Sequence, residues 1–264
     1  MIWAAHFISL PAMKFLITND DGFDGPGLAA LYNALIPLGE VRVAAPAVCH
    51  SAKGHAVNTH SSIRVDHRAV EPFGEIDIVN ASPADCVRVG LCAPNAVIPD
   101  FVIAGINTGA NLGVDLFYSG TAAAAREAAI LGVPSLAISR YTHPDYPIDW
   151  EQLATHVTRV VRSLTSNSHR LPKGQFWNVN FPAVDADDHS DEIHFAPQGL
   201  LSHDISFKIE ESESTDTQTV YEYSGDFRAR GMTGRCDVSV LFDQNITATP
   251  IDLCTTAKHP SLES

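Results

Sequence analysis

Short apolar runs alternate with helical patterns along most of the chain, and this alternation limits the possible folds more than any other feature. The apolar runs are "KFLIT", "EVRVAAP", "EIDIVN", "DFVIAGI" and "VPSLAIS", all between Met13 and Ser139. Their apolar and β-branched residues favour strands. The stretch from Leu28 to Leu38 repeats leucine at helical spacing. Strands that alternate with helices predict a mostly parallel sheet with helices on both faces, an α/β fold.

The composition and the hydrophobic pattern of the sequence change after Ala183. The segments "TVYEYSG" and "DVSVLF" alternate polar and apolar residues as strands do, and the acidic segments between them are typical of solvated loops. We therefore predict a peripheral extension over residues 1–12, an α/β core over 13–183 and a β-rich C-terminal extension over 184–264, used for assembly.

The charge balance restricts the partners of the protein. Among its 264 residues, Asp and Glu number 31 against 17 Lys and Arg, a formal net charge of −14. Proteins that bind a nucleic acid duplex neutralise its phosphates with clustered Lys and Arg, so we expect no such partner. A phosphorylated substrate would need a counter-charge, and a metal ion held by carboxylates could supply it.

Cysteine usage and hydropathy indicate where the protein works. The five cysteines are odd in number and have no CxxC spacing, so we expect reduced thiols and a cytoplasmic location. No apolar run approaches the roughly 20 residues needed to span a bilayer, so we expect no membrane partner.

The first candidate site follows the first apolar run, in "FLITNDDGFDGPG", where Asn19, Asp20 and Asp21 end a predicted strand. These residue types could form a simple turn. In an open parallel sheet, however, ligands bind outside the carboxyl ends of the strands. The segments "AVCHSAKGHAVNT" and "NTGANLGVDLFYSGT" follow two other strands at the same edge, so polar groups distant in sequence are predicted to converge there.

A glycine-rich loop over residues 105–121 is the second candidate site. We predict about fifteen residues between strand and helix, where 2–6 are common. Glycines let backbone N–H groups approach an anion, and the following helix N-terminus favours phosphate. A mobile surface loop ending in an ordinary N-cap at Thr121 is the alternative. The candidate phosphate-binding residues are Asn19, Gly109, Asn111, Ser119, Gly120 and Thr121.

The chain resembles a known family in five ordered segments: "TNDDGFDGPGL", "APAVCHSAKGHAVNT", "SPADCV", "PDFVIAGINTGANLGVDLFYSGTAAAAREAA" and "VPSLAIS". In order and spacing these are similar to the stationary-phase survival protein family, SurE, closely over residues 13–139 and more weakly beyond. The resemblance implies a three-layer α/β/α, Rossmann-like fold and metal-dependent hydrolysis of nucleoside monophosphates. It also implies exchange of C-terminal β-elements within a homodimer or homotetramer.

The resemblance also implies a metal site formed by Asp20, Asp21, Ser51 and Asn107. These are hard oxygen donors, which suit one Mg²⁺ or Mn²⁺ ion better than zinc. The implied catalytic residues are Asp20, Asp21 and Asn107. We predict Asp20 as the general base, because a carboxylate beside the attacking water can accept its proton.

Two other functions remain open from the sequence. A haloacid-dehalogenase-type phosphatase needs Asp-x-Asp, but Gly22 stands two positions after Asp20. A non-catalytic nucleotide-binding regulatory module would use the glycine-rich loop alone. The chain lacks the G-x-G-x-x-G pattern of such modules, and two carboxylates would repel a phosphate unless a cation were present.

Overall fold

Strands and helices alternate through the computed structural model, which describes residues 12–185, 190–232 and 234–254. The strands are β1 (Met13–Thr18), β2 (Gly39–Pro46), β3 (Val65–Val70), β4 (Gly74–Val79), β5 (Phe101–Thr108), β6 (Ser135–Arg140), β7 (Gln175–Phe181), β8 (Ile193–Phe195), β9 (Phe207–Ile209), β10 (Tyr221–Tyr223) and β11 (Ile246–Asp252). The α-helices are α1 (Pro26–Leu35), α2 (Pro83–Cys92), α3 (Gly120–Ile130), α4 (Trp150–Leu164) and α5 (Asp237–Phe242). Two 3₁₀ helices span Gly113–Phe117 and Asn167–His169.

One large sheet organises the described part of the chain, in the order β3-β4-β2-β1-β5-β6-β7-β11-β8. Neighbouring strands from β4 to β7 run parallel, whereas β3 and β11 run antiparallel to β4 and β7. The strand order reverses between β1 and β5, since later strands add outward on both sides of this pair. Crevices that bind ligands form at the carboxyl ends of strands at such a reversal.

Helices cover both faces of the sheet. Phe15 and Ile17 of β1 join a buried cluster with residues of α1 and α4, such as Leu28 and Val157. Leu16 points the other way and packs with α2 and α3, as expected from the alternation of side chains along a strand. The apolar runs are nearly continuous because both faces of these strands are buried. The predicted α/β fold with a mostly parallel sheet is confirmed.

In the C-terminal region, one predicted strand is a helix. The segment "DVSVLF" is the short helix α5, so the prediction of a strand there was wrong. Val238 and Leu241 lie on one helical face and pack against Ala110 and Leu112 of the glycine-rich segment. Val238 and Val240 fit an alternating strand, whereas Val238 and Leu241 fit one face of a helix. So short a segment suits either period, and tertiary packing decides between them.

Two further differences concern strand β3 and the loop that follows β5. Strand β3 was not predicted, because it is an exposed edge strand with polar residues in its centre. The predicted long loop over 105–121 is shorter than expected, since β5 continues to Thr108 and the 3₁₀ helix Gly113–Phe117 lies inside it.

The C-terminal strands divide between two sheets. Strands β8 and β11 join the large sheet, while β9 and β10 form a separate hairpin-like pair. The division after residue 183 therefore stays a prediction, and strands from both sides of it share one sheet. Most of the predicted N-terminal extension, residues 1–11, lies outside the described residues, as do residues 255–264. Within the described ranges, every helix is too short or too polar to cross a bilayer.

Candidate active site

The carboxyl end of β1 turns sharply and buries two polar side chains, those of Asn19 and Asp20. The Thr121 hydroxyl donates to Asp20 Oδ1 over 2.6 Å, and the His50 backbone N–H donates to the Asp20 carbonyl over 2.7 Å. A Cβ added at Gly120 would lie 2.7 Å from the Asp20 Cβ. Glycine at this position therefore lets the N-terminus of α3 approach Asp20 directly.

The adjacent carboxylates of Asp20 and Asp21 both have raised pKa values. Burial raises the pKa of Asp20, the hydrogen bond from Thr121 opposes this rise, and the neighbouring Asp21 carboxylate adds to it. Burial also raises the pKa of Asp21, against an opposing bond from the Thr108 N–H. Both carboxylates would be stabilised in the ionised form by a nearby positive charge.

A cavity of about 400 Å³ opens at this edge of the sheet, and Asp20, Ser51 and Asn107 all line it. Asp21 reaches the same edge, because the Thr108 N–H lies 3.5 Å from its Oδ2. The structure therefore brings the four implied metal ligands to the carboxyl ends of β1 and β5 and to the loop after β2.

The donor set at this edge is suited to a hard cation. The Asn107 amide nitrogen donates to the Gly109 carbonyl over 2.7 Å, so the amide oxygen is the atom left to bind a ligand. Among the described residues, no group of three or more His, Cys, Asp or Glu side chains could hold a metal. A metal here would thus be bound by two carboxylates with neutral oxygens, a set that fits Mg²⁺ or Mn²⁺ and not a typical zinc site.

The candidate phosphate-binding residues at the start of α3 are partly engaged with the protein itself. The Ser119 hydroxyl caps the helix by accepting the Ala122 N–H over 3.0 Å, so Ser119 and not Thr121 is the N-cap. The Thr121 hydroxyl is bound to Asp20. Any anion contact from this segment would therefore use the backbone donors and dipole of the helix N-terminus, which lies at the cavity.

Asn19, Gly109 and Asn111 have different surroundings. The Asn19 amide donates to the Gly22 carbonyl over 2.7 Å and so stabilises the turn after β1. The Gly109 N–H donates to the Arg140 carbonyl over 2.9 Å. Asn111 lines the cavity, but its amide nitrogen donates to the Ser139 hydroxyl over 2.8 Å. These contacts show a structural use for each residue and leave their phosphate contacts as predictions.

Three cavity residues were missed by the sequence analysis: His203, Ile205 and Tyr223. They come from the region after β8 and form what we call the C-terminal wall. The two ring nitrogens of His203 contact Asp115 Oδ1 at 3.2 Å and the Tyr223 hydroxyl at 2.7 Å. No motif marks these residues, because their position depends on contacts between segments far apart in sequence.

The C-terminal wall contacts the core through Asp115. Arg230 is buried and donates to Asp115 Oδ2 over 3.0 Å, while its guanidinium lies 4.3 Å from the centre of the Phe227 ring. Asp115 sits in the 3₁₀ helix Gly113–Phe117 and lines the cavity. The C-terminal region therefore completes one side of the site within the same chain.

Comparison with known proteins shows the family of this chain. The family model described as survival protein SurE matches residues 15–204. The chain belongs to the SurE family. A 5'-nucleotidase SurE 1 of Thermus thermophilus is 36% identical over 259 residues, which cover 96% of each chain. A 5'-nucleotidase SurE of Syntrophotalea carbinolica is 42% identical over 171 residues, 65% of this chain and 66% of that relative.

The fold is also found in a solved SurE structure. The crystal structure of the SurE protein from Aquifex aeolicus superposes with a TM-score of 0.77 at 29% identity. The superposition covers 92% of this chain and 94% of the Aquifex chain. The shared fold therefore includes the C-terminal region as well as the α/β core.

Proposed function

We propose that this SurE-family protein is a divalent-metal-dependent phosphomonoesterase, a 5'-nucleotidase that hydrolyses nucleoside monophosphates to nucleoside and phosphate. One observation carries the proposal: buried Asp20 shares a cavity with Ser51 and Asn107 at the reversal of strand order, with Asp21 beside them. The 5'-nucleotidase names of the relatives support a nucleotidase.

Asp20, Asp21, Ser51 and Asn107 would hold the ion, Mg²⁺ or Mn²⁺. When bound, such an ion supplies positive charge to the phosphoryl oxygens and makes a bound water more acidic. Hydrolysis of a phosphate monoester then depends mainly on positioning and on neutralising charge, since the protein needs little covalent chemistry.

The residues of the chain position the reacting groups. The Thr121 hydroxyl orients the Asp20 carboxylate by donating to one of its oxygens, and this carboxylate would accept the proton of the attacking water. Burial raises the pKa of Asp20 in the absence of a cation, and a bound cation would favour the ionised carboxylate, which is the form that accepts a proton. The bond from Asn107 to the Gly109 carbonyl orients the amide oxygen, and the N-terminus of α3 favours the phosphate charge.

The cavity can also accept more than a phosphate. Its volume of about 400 Å³ lies in the range of small-molecule sites. Tyr118 and Tyr223 line it and are 55% and 51% exposed as residues. Exposed aromatic rings can stack on a nucleobase, which supports a nucleotide over a small phosphate ester.

The test is a panel of nucleoside monophosphates assayed with Mg²⁺, with Mn²⁺ and with a chelator. We expect release of phosphate that needs the metal and is lost in Asp21→Ala. Binding of nucleotide without turnover would instead support a regulatory module. A trapped aspartyl-phosphate would support a haloacid-dehalogenase-type mechanism.

We further propose a homodimer or homotetramer in the cytoplasm. The β9–β10 pair exposes apolar side chains, with Phe207, Ile209 and Tyr221 each more than half exposed. Exposed apolar patches are typical of protein interfaces, and the five cysteines are free, as in a reducing compartment. Light scattering of the purified protein at several concentrations tests the assembly, and a strictly monomeric mass would exclude it.

A further inference from the structure

The loop between β2 and β3, residues 47–64, carries Ser51 and has little apolar anchoring. Most side chains of residues 51–62 are exposed, and Ala52 adopts a left-handed conformation with φ of 55°. A segment of this kind is held weakly by the hydrophobic effect. Its position therefore depends on polar contacts with the core.

Two carboxylates of the core supply such contacts. His55 Nε2 donates to Glu127 Oε2 over 2.8 Å. Further along the loop, the Asn58 backbone N–H lies 3.1 Å from both oxygens of Asp85, and the Ser82 hydroxyl donates to the Ala56 carbonyl over 2.6 Å. Backbone bonds from His50 and Gly54 also reach the core, and the bond from His55 to Glu127 is the side-chain contact with the core that lies nearest to Ser51 along the chain.

Glu127 is an unusual anchor because it is almost fully buried, with 2% of its surface exposed. Its second oxygen accepts a hydrogen bond from Arg88 Nε over 2.6 Å. A buried carboxylate is costly unless both charge and hydrogen bonding are satisfied. With Arg88 on one oxygen and His55 on the other, the position of His55 is closely defined.

Helix α3 thereby fixes two parts of the proposed metal site. Thr121 in its first turn binds Asp20 directly, and Glu127 in its second half binds the loop that carries Ser51. A helix is a rigid spacer of about 1.5 Å per residue. The distance between the Asp20 end and the Ser51 loop is thus set by one element.

We propose that Glu127 and His55 are positioning residues for Ser51: their hydrogen bond holds the loop so that the Ser51 hydroxyl faces the cation site. The inference rests on the proposed function and adds two residues to it. Neither residue lies among the residues that line the cavity, so both act through the loop.

The test compares His55→Ala with the wild type by measuring Mn²⁺ binding directly, without substrate, by paramagnetic resonance of the free ion. Outer-sphere partners of metal ligands typically contribute 10–100-fold to affinity, so we expect binding about 10-fold weaker. Hydrogen exchange should become faster for the backbone amides of residues 50–58 and stay unchanged in β1. His55→Gln, which keeps a donor for Glu127, should restore much of the affinity.

A matched control is His67→Ala. His67 also bonds a carboxylate, Asp77, over 2.7 Å, but on the exposed edge of the sheet. We expect Mn²⁺ affinity within about twofold of the wild type for this variant. Equal weakening in His55→Ala and His67→Ala would overturn the inference.

The double variant His55→Ala with Glu127→Gln separates positioning from direct substrate contact. If His55 acts through Glu127, the double variant should bind Mn²⁺ no more weakly than the worse single variant. Unchanged Mn²⁺ affinity in His55→Ala with a raised KM would mean that His55 touches substrate, which overturns the inference alone. A wild type that binds no Mn²⁺ would overturn the proposed function as well.

Discussion

The two sides of the cavity are built in different ways. On the core side, Asp20 is 4% exposed and is held by the hydroxyl of Thr121 from a buried helix. On the C-terminal wall, Ile205 and Tyr223 are each about half exposed, and the wall meets the core through His203 and Asp115. A rigid side suits the groups that carry out chemistry, and an open aromatic side suits recognition of a leaving group. We therefore expect core variants to change kcat and wall variants to change KM and substrate preference.

The largest expected effect is that of Asp21→Ala, on the core side. Loss of a proposed ligand carboxylate should lower kcat by about 10³-fold for every phosphomonoester, because the charge on the phosphoryl group would no longer be neutralised. Steady-state assays with saturating Mn²⁺ measure this. Asp24→Ala is the matched control, since Asp24 is an exposed carboxylate in the same turn. A similar loss in both variants would show that the turn, and not the Asp21 carboxylate, matters.

Asp20→Asn should have the next largest effect and tests the general base. The amide keeps the size of the side chain and can still accept the Thr121 hydroxyl bond, but it cannot accept a proton. We expect kcat to fall by about 10²-fold or more, while Mn²⁺ binding, measured by calorimetry, is retained in part. Near-normal turnover by a variant that still binds metal would rule out Asp20 as the base.

Thr121→Val should have a moderate effect, because it removes the hydroxyl that orients Asp20 and keeps the shape of the side chain. We expect kcat to fall by about 10-fold with little change in KM. Thr121→Ser, which restores the hydroxyl, is the control and should recover most of the activity. The measurement is kcat for the wild type and both variants, with the same nucleotide and the same metal. Equal kcat values for Thr121→Val and Thr121→Ser would contradict the orienting role.

Tyr223→Ala tests the C-terminal wall and should leave the chemistry intact. Loss of a stacking ring typically costs 1–3 kcal/mol per base, so KM for a nucleoside monophosphate should rise by about 10-fold. The kcat for p-nitrophenyl phosphate, which has no nucleobase, should be unchanged. Tyr221→Ala, two residues away on β10 and 63% exposed, is the control. An equal fall in kcat for both substrates would remove the distinction between the two sides.

The same difference between the regions determines what the sequence could predict. Alternating strands and helices of the core follow local rules. Ser82, for example, caps α2 by accepting the Asp85 N–H, which is the usual role of a serine directly before a helix that begins with proline. The convergence of the segments that hold Asp20, Ser51 and Asn107 could be predicted because the carboxyl ends of parallel strands share an edge, whereas the choice of these residues as a set came from the family resemblance. Asp21 reaches the same edge through Thr108.

The structure of the C-terminal region could not be predicted from local patterns. The helix α5 depends on packing of Val238 and Leu241 against the glycine-rich segment, and its six residues carry too weak a pattern to distinguish helix from strand. His203 and Tyr223 reach the cavity through contacts with Asp115 and with each other, which no local pattern encodes. Long-range contacts between irregular segments were thus the limit of the sequence analysis.

The smallest expected effects concern the stability of ion pairs in the two regions. In the core, burial opposes ionisation of Glu127, but the bonds from His55 and Arg88 outweigh it and hold its pKa below the ordinary value of 4.5. In the C-terminal region, burial likewise opposes ionisation of Asp191, and bonds from His156 and Arg159 lower its pKa. Asp191 is more exposed than Glu127.

A carboxylate with a lowered pKa stabilises the fold above its unfolded pKa, and this contribution is lost as pH falls through the folded value. At pH 7, Glu127→Gln should therefore lower the free energy of unfolding by about 2 kcal/mol, and Asp191→Asn by at most about 1 kcal/mol because solvent screens that pair. Both differences from the wild type should shrink as the pH falls below about 4.5. Urea unfolding at several pH values measures this, and a Glu127→Gln difference that grows as the pH falls below about 4.5 would contradict the assigned ionisation.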